Sequence, residues 1–124
     1  MYGTRHERFP MTVQAPSRAR RWAEEAISLE PDARAAVILL LSELVANSVR
    51  HSGCPPEDWV AVEIRQDAHR VHVEVRDPGP GDGIRPNGLL QHSGLRIVEA
   101  MADHWGVRRD PTTVWFEVSS PRIG

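Results

Sequence analysis

Residues 71–81 read VHVEVRDPGPG, a valine-rich strand that runs directly into a turn of proline and glycine. The valines stand at every second position, so they share one face of the strand, and Asp77 is in phase with them. Asp77 is therefore predicted to point toward the buried side of a sheet. A buried carboxylate is costly without a hydrogen-bonding partner, which a ligand could supply. The segment is therefore either part of a ligand-binding site or an ordinary hairpin turn.

The segments around this strand predict an α+β fold. Further alternating stretches predict strands at 60–65, 105–108 and 112–118, with an edge strand at 9–13 and a flexible start at 1–8. Helical spacing predicts one helix capped by Ser17, one capped by Asp32 and running to Val49, and a third from His92 or Ser93 to Asp103. We expect a single domain over 1–124, a two-layer sandwich with a mixed, mostly antiparallel sheet and about three helices on one face.

The composition is that of an ordinary globular domain. The chain has 124 residues and a net charge of -2, which gives no basic footprint for nucleic acid. The longest apolar run, Ala35–Leu41, is too short to cross a bilayer, so no membrane partner is expected. The single cysteine, Cys54, cannot form an internal disulfide and fits a reducing, cytoplasmic location.

Polar side chains recur on the apolar second helix. Glu43, Asn47 and His51 are four residues apart and therefore stack on one side of it. The amide oxygen of Asn47 is a suitable ligand for Mg²⁺, and Glu43 could deprotonate a nucleophile close to such a metal. The alternative is a narrow solvent-facing stripe. Near the third helix, Gly94 could let backbone N–H groups approach an anion, or it could simply relieve crowding.

Taken in order, these segments resemble the GHKL ATPases, which share the Bergerat ATP-binding fold. The closer similarity is to the bacterial anti-sigma-factor serine kinases and their small ATP-binding relatives. Residues 42–51 (SELVANSVRH) resemble the N-box of that family, 77–81 (DPGPG) the G1 box, and 93–98 (SGLRIV) the G2 region. Residues 16–22 and 112–118 are similar to the first helix entry and the last strand, so the resemblance covers nearly the whole chain.

The resemblance implies a role for each matched position. Asp77 would accept a hydrogen bond from the adenine amino group, Asn47 would coordinate Mg²⁺, and Glu43 would be the general base. Thr112 or Thr113 would lie beside adenine: strand alternation favours Thr112 and the motif favours Thr113. The remaining residues implied to line the nucleotide are Gly79, Gly81, His92, Ser93, Gly94 and Leu95.

The function implied by the resemblance is an ATP-dependent serine protein kinase with Mg²⁺. It would bind a sigma factor, phosphorylate a serine of an antagonist protein (an anti-anti-sigma factor), and form homodimers. Two departures favour a catalytically weak binding module instead: His92 stands where the family has glycine, and the segment between Gly81 and His92 is short. A histidine kinase is less favoured, since we see no phosphoacceptor hairpin in the sequence.

Overall fold

A computed structural model describes residues 3–79, 93–109 and 111–119 of the chain. In chain order its elements are β1 (Gly3–Pro10), α1 (Ala15–Ala26), α2 (Pro31–His51), β2 (Trp59–Gln66), β3 (Arg70–Asp77), α3 (Ser93–Met101), β4 (His104–Arg108) and β5 (Thr112–Ser119). The strands form one sheet in the order β1-β2-β3-β5-β4. The α+β prediction is confirmed, and every strand pair in the described residues is antiparallel.

The two faces of the sheet differ in chemistry. One face buries the alternating apolar residues of the three central strands, which are Val60, Val62, Ile64, Val71, Val73, Val75, Val114, Phe116 and Val118. Helix α2 packs against β2, β3 and β5, and α1 and α3 pack against α2. Most intervening positions on the opposite face are ionisable, as expected for an antiparallel sheet with one apolar side; they include Glu63, Arg65, His72, Glu74, Arg76 and Glu117.

Helix α1 lies close to its neighbours because its inner face is made of alanine. Ala15, Ala19 and Ala23 are fully buried and lie four residues apart, so they form one stripe. The prediction that Ser17 caps this helix is wrong: the helix begins at Ala15, and the Ser17 hydroxyl donates to the carbonyl oxygen of Gln14 at 3.2 Å. The helix can begin before Pro16 because proline, which has no N–H to satisfy, is favourable in a first turn.

Helix α2 also begins earlier than predicted. Its N-cap is Glu30 rather than Asp32, and the Glu30 carboxylate accepts the backbone N–H groups of Asp32 at 3.2 Å and Ala33 at 2.6 Å. Pro31 then occupies the first turn, where its fixed φ suits a helix. The helix ends at His51, and Gly53 follows with φ +76°, a left-handed conformation that glycine adopts without strain.

Strand β1 occupies an earlier segment than the predicted 9–13. It pairs with β2 from Gly3 to Pro10, so residues 3–8, predicted to be flexible, belong to the sheet. Only Phe9 of this strand is buried. Residues 3–8 show no apolar alternation that would predict a strand, because an edge strand can be held by backbone pairing while its side chains remain polar.

Candidate functional site

The buried carboxylate of Asp77 is the centre of the candidate site. Asp77 is the last residue of β3 and is only 4% exposed. The hydroxyl of Ser48 on α2 donates to its Oδ2 at 2.8 Å, and the backbone N–H of Gly79 donates to its Oδ1 at 2.8 Å. The two hydrogen bonds offset much of the cost of burying this group. Each carboxylate oxygen still has a lone pair for a further donor.

Ser48 is a site residue that sequence reasoning missed. It directly follows Asn47 in α2 and stands half-buried between the helix and the end of β3. The available signal was a hydroxyl beside Asn47 in a mostly apolar helix. Such a hydroxyl commonly bonds to its own helix backbone, so the sequence alone does not connect it with Asp77.

Gly79 is held between Asp77 and the end of α2. A Cβ at this position would lie 2.7 Å from the backbone oxygen of Ser52, 2.9 Å from Oδ1 of Asp77 and 3.2 Å from the Ser52 Cβ. Its backbone is outside the left-handed region, so glycine is required here for space rather than for conformation. The predicted approach of a nucleotide to Gly79 stays a prediction.

The two candidate threonines lie on opposite faces of the sheet. Thr112 pairs with Asp77 across β3 and β5, and its buried hydroxyl donates to the carbonyl oxygen of Gly79 at 2.9 Å. Thr113 points to the other face, where its hydroxyl donates to the carbonyl oxygen of Pro111 at 2.9 Å. The structure therefore brings Thr112, and not Thr113, to Asp77. Which of the two threonines lies beside adenine stays a prediction.

The polar side of α2 contains the predicted metal ligand. Asn47 is 8% exposed, and its Oδ1 accepts a hydrogen bond from the Arg50 guanidinium at 2.8 Å. Its Nδ2 is buried and has no hydrogen-bond partner in residues 3–79, 93–109 or 111–119. Glu43, the predicted general base, is half-buried one turn earlier on the same helix. Sequence reasoning did not anticipate Arg50.

The remaining predicted residues belong to the G2-like region and its approach. Gly81 and His92 lie outside the described residues, as does the segment between them. Ser93, Gly94 and Leu95 form the first turn of α3, as predicted for a helix opening at this point. Their contacts with a nucleotide stay predictions.

A charged cluster lies on the opposite face of the sheet, away from Asp77. The Glu74 side chain is 5% exposed, accepts a hydrogen bond from Arg108 at 2.7 Å and lies 2.8 Å from Nε2 of His72. Burial would raise the pKa of Glu74, but the hydrogen bonds from Arg108 and His72 outweigh it and hold the pKa below the ordinary 4.5. This cluster supports the sheet from the polar side.

Most of the chain matches a known protein family. The family model of the histidine kinase-like ATPase domain matches residues 9–118, from the end of β1 to β5. The chain belongs to this family. No curated protein matches it. Membership of a histidine kinase-like ATPase family supports the binding of ATP.

The described residues suit ATP and Mg²⁺ in their chemistry. Asp77 offers buried acceptors to a donor such as an exocyclic amine. The buried Nδ2 of Asn47, which has no partner among the described residues, is a donor suited to a phosphate oxygen rather than to a metal. An amide oxygen is a hard donor of the kind Mg²⁺ accepts. One contact disagrees with this fit, since that oxygen already accepts a hydrogen bond from Arg50. In the described part of this ATPase domain, no helix has the length and apolar character needed to cross a membrane.

Proposed function

We propose that this ATPase-family domain is an anti-sigma-type serine protein kinase. In this proposal it binds ATP with Mg²⁺, captures a sigma factor, and phosphorylates a serine of an antagonist protein. The observation that carries the nucleotide part is the buried Asp77 carboxylate, which is held by Ser48 and Gly79 and retains acceptor capacity. The kinase part rests on Glu43 and Asn47, which stand one turn apart on α2.

Each residue would act through a specific atom. The Asp77 carboxylate would accept the adenine amino group, with Thr112 supporting the backbone at Gly79 beside it. The Asn47 oxygen would hold Mg²⁺, which when bound neutralises phosphate charge. Glu43 would accept the proton of the substrate serine. The serine oxygen would form a bond to the γ-phosphorus while the bond between the γ-phosphorus and the ADP oxygen breaks.

The nucleotide proposal is tested by Asp77→Asn. Asparagine at this position keeps an oxygen for the Gly79 N–H and turns its amide toward Ser48, whose oxygen can accept. The fold is therefore expected to survive, while the adenine amino group loses an acceptor. We expect ATP affinity to fall by about 10- to 100-fold, the equivalent of one hydrogen bond to a charged group.

Asp32→Asn is the matched control, because it makes the same chemical change at an exposed residue at the start of α2, away from the site. Affinity can be measured by displacement of a fluorescent ATP analogue. Equal affinity in the Asp77→Asn and Asp32→Asn variants would refute adenine recognition by Asp77.

The kinase proposal is tested by Glu43→Ala. This variant should bind ATP normally and form no phosphoserine on a purified antagonist protein supplied with radiolabelled ATP. Glu57→Ala, at an exposed glutamate outside the helices, is the control. Transfer at the wild-type rate by the Glu43→Ala variant would show that Glu43 is not the base.

A second candidate is a nucleotide-binding partner module without phosphoryl transfer. The contact between Arg50 and the Asn47 oxygen favours it, because a guanidinium occupies the atom proposed to hold the metal. This candidate predicts sigma-factor capture without phosphoserine formation. The same radiolabelling experiment on the wild-type protein separates the two.

A further inference from the structure

Arg50 makes a contact on α2 that the proposed chemistry does not use. Its Nη2 donates to Oδ1 of Asn47 at 2.8 Å. A guanidinium can only donate, so the bonded atom of Asn47 must be its oxygen. The amide Nδ2, which finds no partner in the part of the chain that the structure describes, points elsewhere. Asn47 is 8% exposed, whereas Arg50 is exposed. The contact therefore joins a fixed buried oxygen to a side chain that has room to move.

The bonded oxygen is the atom that would hold Mg²⁺. The guanidinium keeps its positive charge at every accessible pH, so it and a divalent cation compete for the same oxygen. The buried position of Asn47 leaves it little freedom to serve both. Arg50 lies in the last turn of α2, where its exposed side chain can leave Asn47 without disturbing the core.

We infer that Arg50 supplies the positive charge of the site when no metal is bound, and that Mg²⁺ displaces it from Asn47. This inference rests on the proposed nucleotide-binding function. It makes Arg50 a positioning residue that sets how strongly nucleotide binding depends on metal. Without Mg²⁺ the guanidinium remains beside Asn47 and attracts the phosphates. With Mg²⁺ the metal takes the oxygen and Arg50 is released.

A purely structural role for Arg50 predicts something different. A cation in the last turn of a helix is favourable with the helix dipole, whatever the ligand. Removal of such a cation would lower the stability of the protein and leave the metal dependence of nucleotide binding unchanged. Metal dependence is therefore the measurement that separates the two roles.

The experiment compares the Kd for ADP in EDTA with the Kd in saturating Mg²⁺, by calorimetry on the full chain. In the wild-type protein we expect a small ratio of the Kd in EDTA to the Kd in Mg²⁺. In Arg50→Met we expect the ratio to rise by about tenfold or more, because binding in EDTA loses a charged contact and binding in Mg²⁺ loses a competitor. ADP makes the measurement independent of phosphoryl transfer.

Two further variants complete the design. Arg20→Met removes the same charge from an exposed position on α1 and should keep the wild-type ratio. Arg50→Lys keeps a positive charge at the site and should restore a ratio close to wild type, even if Arg50→Met folds poorly.

A second readout needs no nucleotide: the side-chain amide resonances of Asn47 should shift between wild type and Arg50→Met in metal-free solution.

The outcomes are distinguishable. An unchanged Kd ratio in Arg50→Met, with ADP still bound, overturns the inference and leaves the nucleotide function standing. Absence of ADP binding by the wild-type protein, with or without Mg²⁺, overturns both. A raised ratio in Arg50→Met together with a wild-type ratio in Arg20→Met supports the inference.

Discussion

The backbone oxygen of Ser52 lies where a side chain on Gly79 would have to be, 2.7 Å from the position of a Cβ. The end of α2 and the turn after β3 are thus in direct backbone contact. This contact brings the N-box-like helix and the G1-like turn together, and it places Asp77 within reach of Ser48.

Gly79→Ala should therefore be destabilising. The added methyl group meets backbone, which cannot rotate away, so we expect a loss of about 1–3 kcal/mol in the free energy of unfolding. Urea denaturation monitored by circular dichroism measures this loss. Gly53→Asn is the contrasting variant: Gly53 has φ +76° but open space around it, and asparagine tolerates that conformation. Wild-type stability of Gly79→Ala would show that the contact with the Ser52 backbone does not require glycine at this position.

Ser48→Ala should reduce both stability and nucleotide affinity. It removes one of the two hydrogen bonds to the buried Asp77 carboxylate, a change expected to cost about 1.5–3 kcal/mol. Unfolding in urea and displacement of a fluorescent ATP analogue measure the two effects. Ser17→Ala, at an exposed serine of α1, is the control. Wild-type behaviour of Ser48→Ala would mean that the hydroxyl does not support the carboxylate.

Thr112→Val and Thr113→Val should differ in nucleotide binding. Valine has nearly the shape of threonine but cannot donate, so Thr112→Val leaves the Gly79 carbonyl without its buried partner. We expect ATP affinity to fall about tenfold in Thr112→Val and to stay near wild type in Thr113→Val, which lies on the other face. The reverse order would favour the motif-based choice of Thr113.

The stability contributed by Glu74 should depend on pH. Its pKa in the folded protein lies below the ordinary 4.5, so its contribution is present above that value and is lost as the pH falls through the folded pKa. Arg108→Met should cost about 1 kcal/mol at neutral pH, a modest value because Arg108 is itself 52% exposed. The difference between wild type and Arg108→Met should shrink as the pH falls below 4.5 and through the lowered pKa of Glu74 in the folded protein.

Urea denaturation across this range tests the pH prediction, with Arg20→Met as the control for loss of charge. A difference between wild type and Arg108→Met that stays constant down to the lowest pH would show that Glu74 is not the group concerned.

The fold was predictable from sequence where the pattern was periodic. The alternation that predicted β3 also predicted the inward direction of Asp77, and the apolar run of α2 predicted a buried helix. Strand β1 was placed too late, because its stability comes from backbone pairing with β2 rather than from a visible apolar face. Both helix starts were placed late, because Pro16 and Pro31 extend the first turn rather than preceding it.

The candidate site was only partly predictable, for a different reason. The inward direction of Asp77 could be predicted from strand alternation alone. The roles of Ser48 and Arg50 depend on hydrogen-bond partners that only the structure identifies. A contact between a helix and a strand end depends on how the elements pack. Periodicity along either element does not contain that information.

The hydrogen bonds around Asp77 draw on parts of the chain that are far apart. Ser48 lies 29 residues before Asp77, and Thr112 lies 33 residues after Gly79. The first bond needs α2 docked on β3, and the second needs β5 paired with β3. Such non-local contacts form later than a single helix, because the entropy of loop closure is lost before they can stabilise the fold. During refolding, the capture of a fluorescent nucleotide should lag behind the recovery of helical circular dichroism. Purine binding by this protein would then report that its tertiary structure is complete.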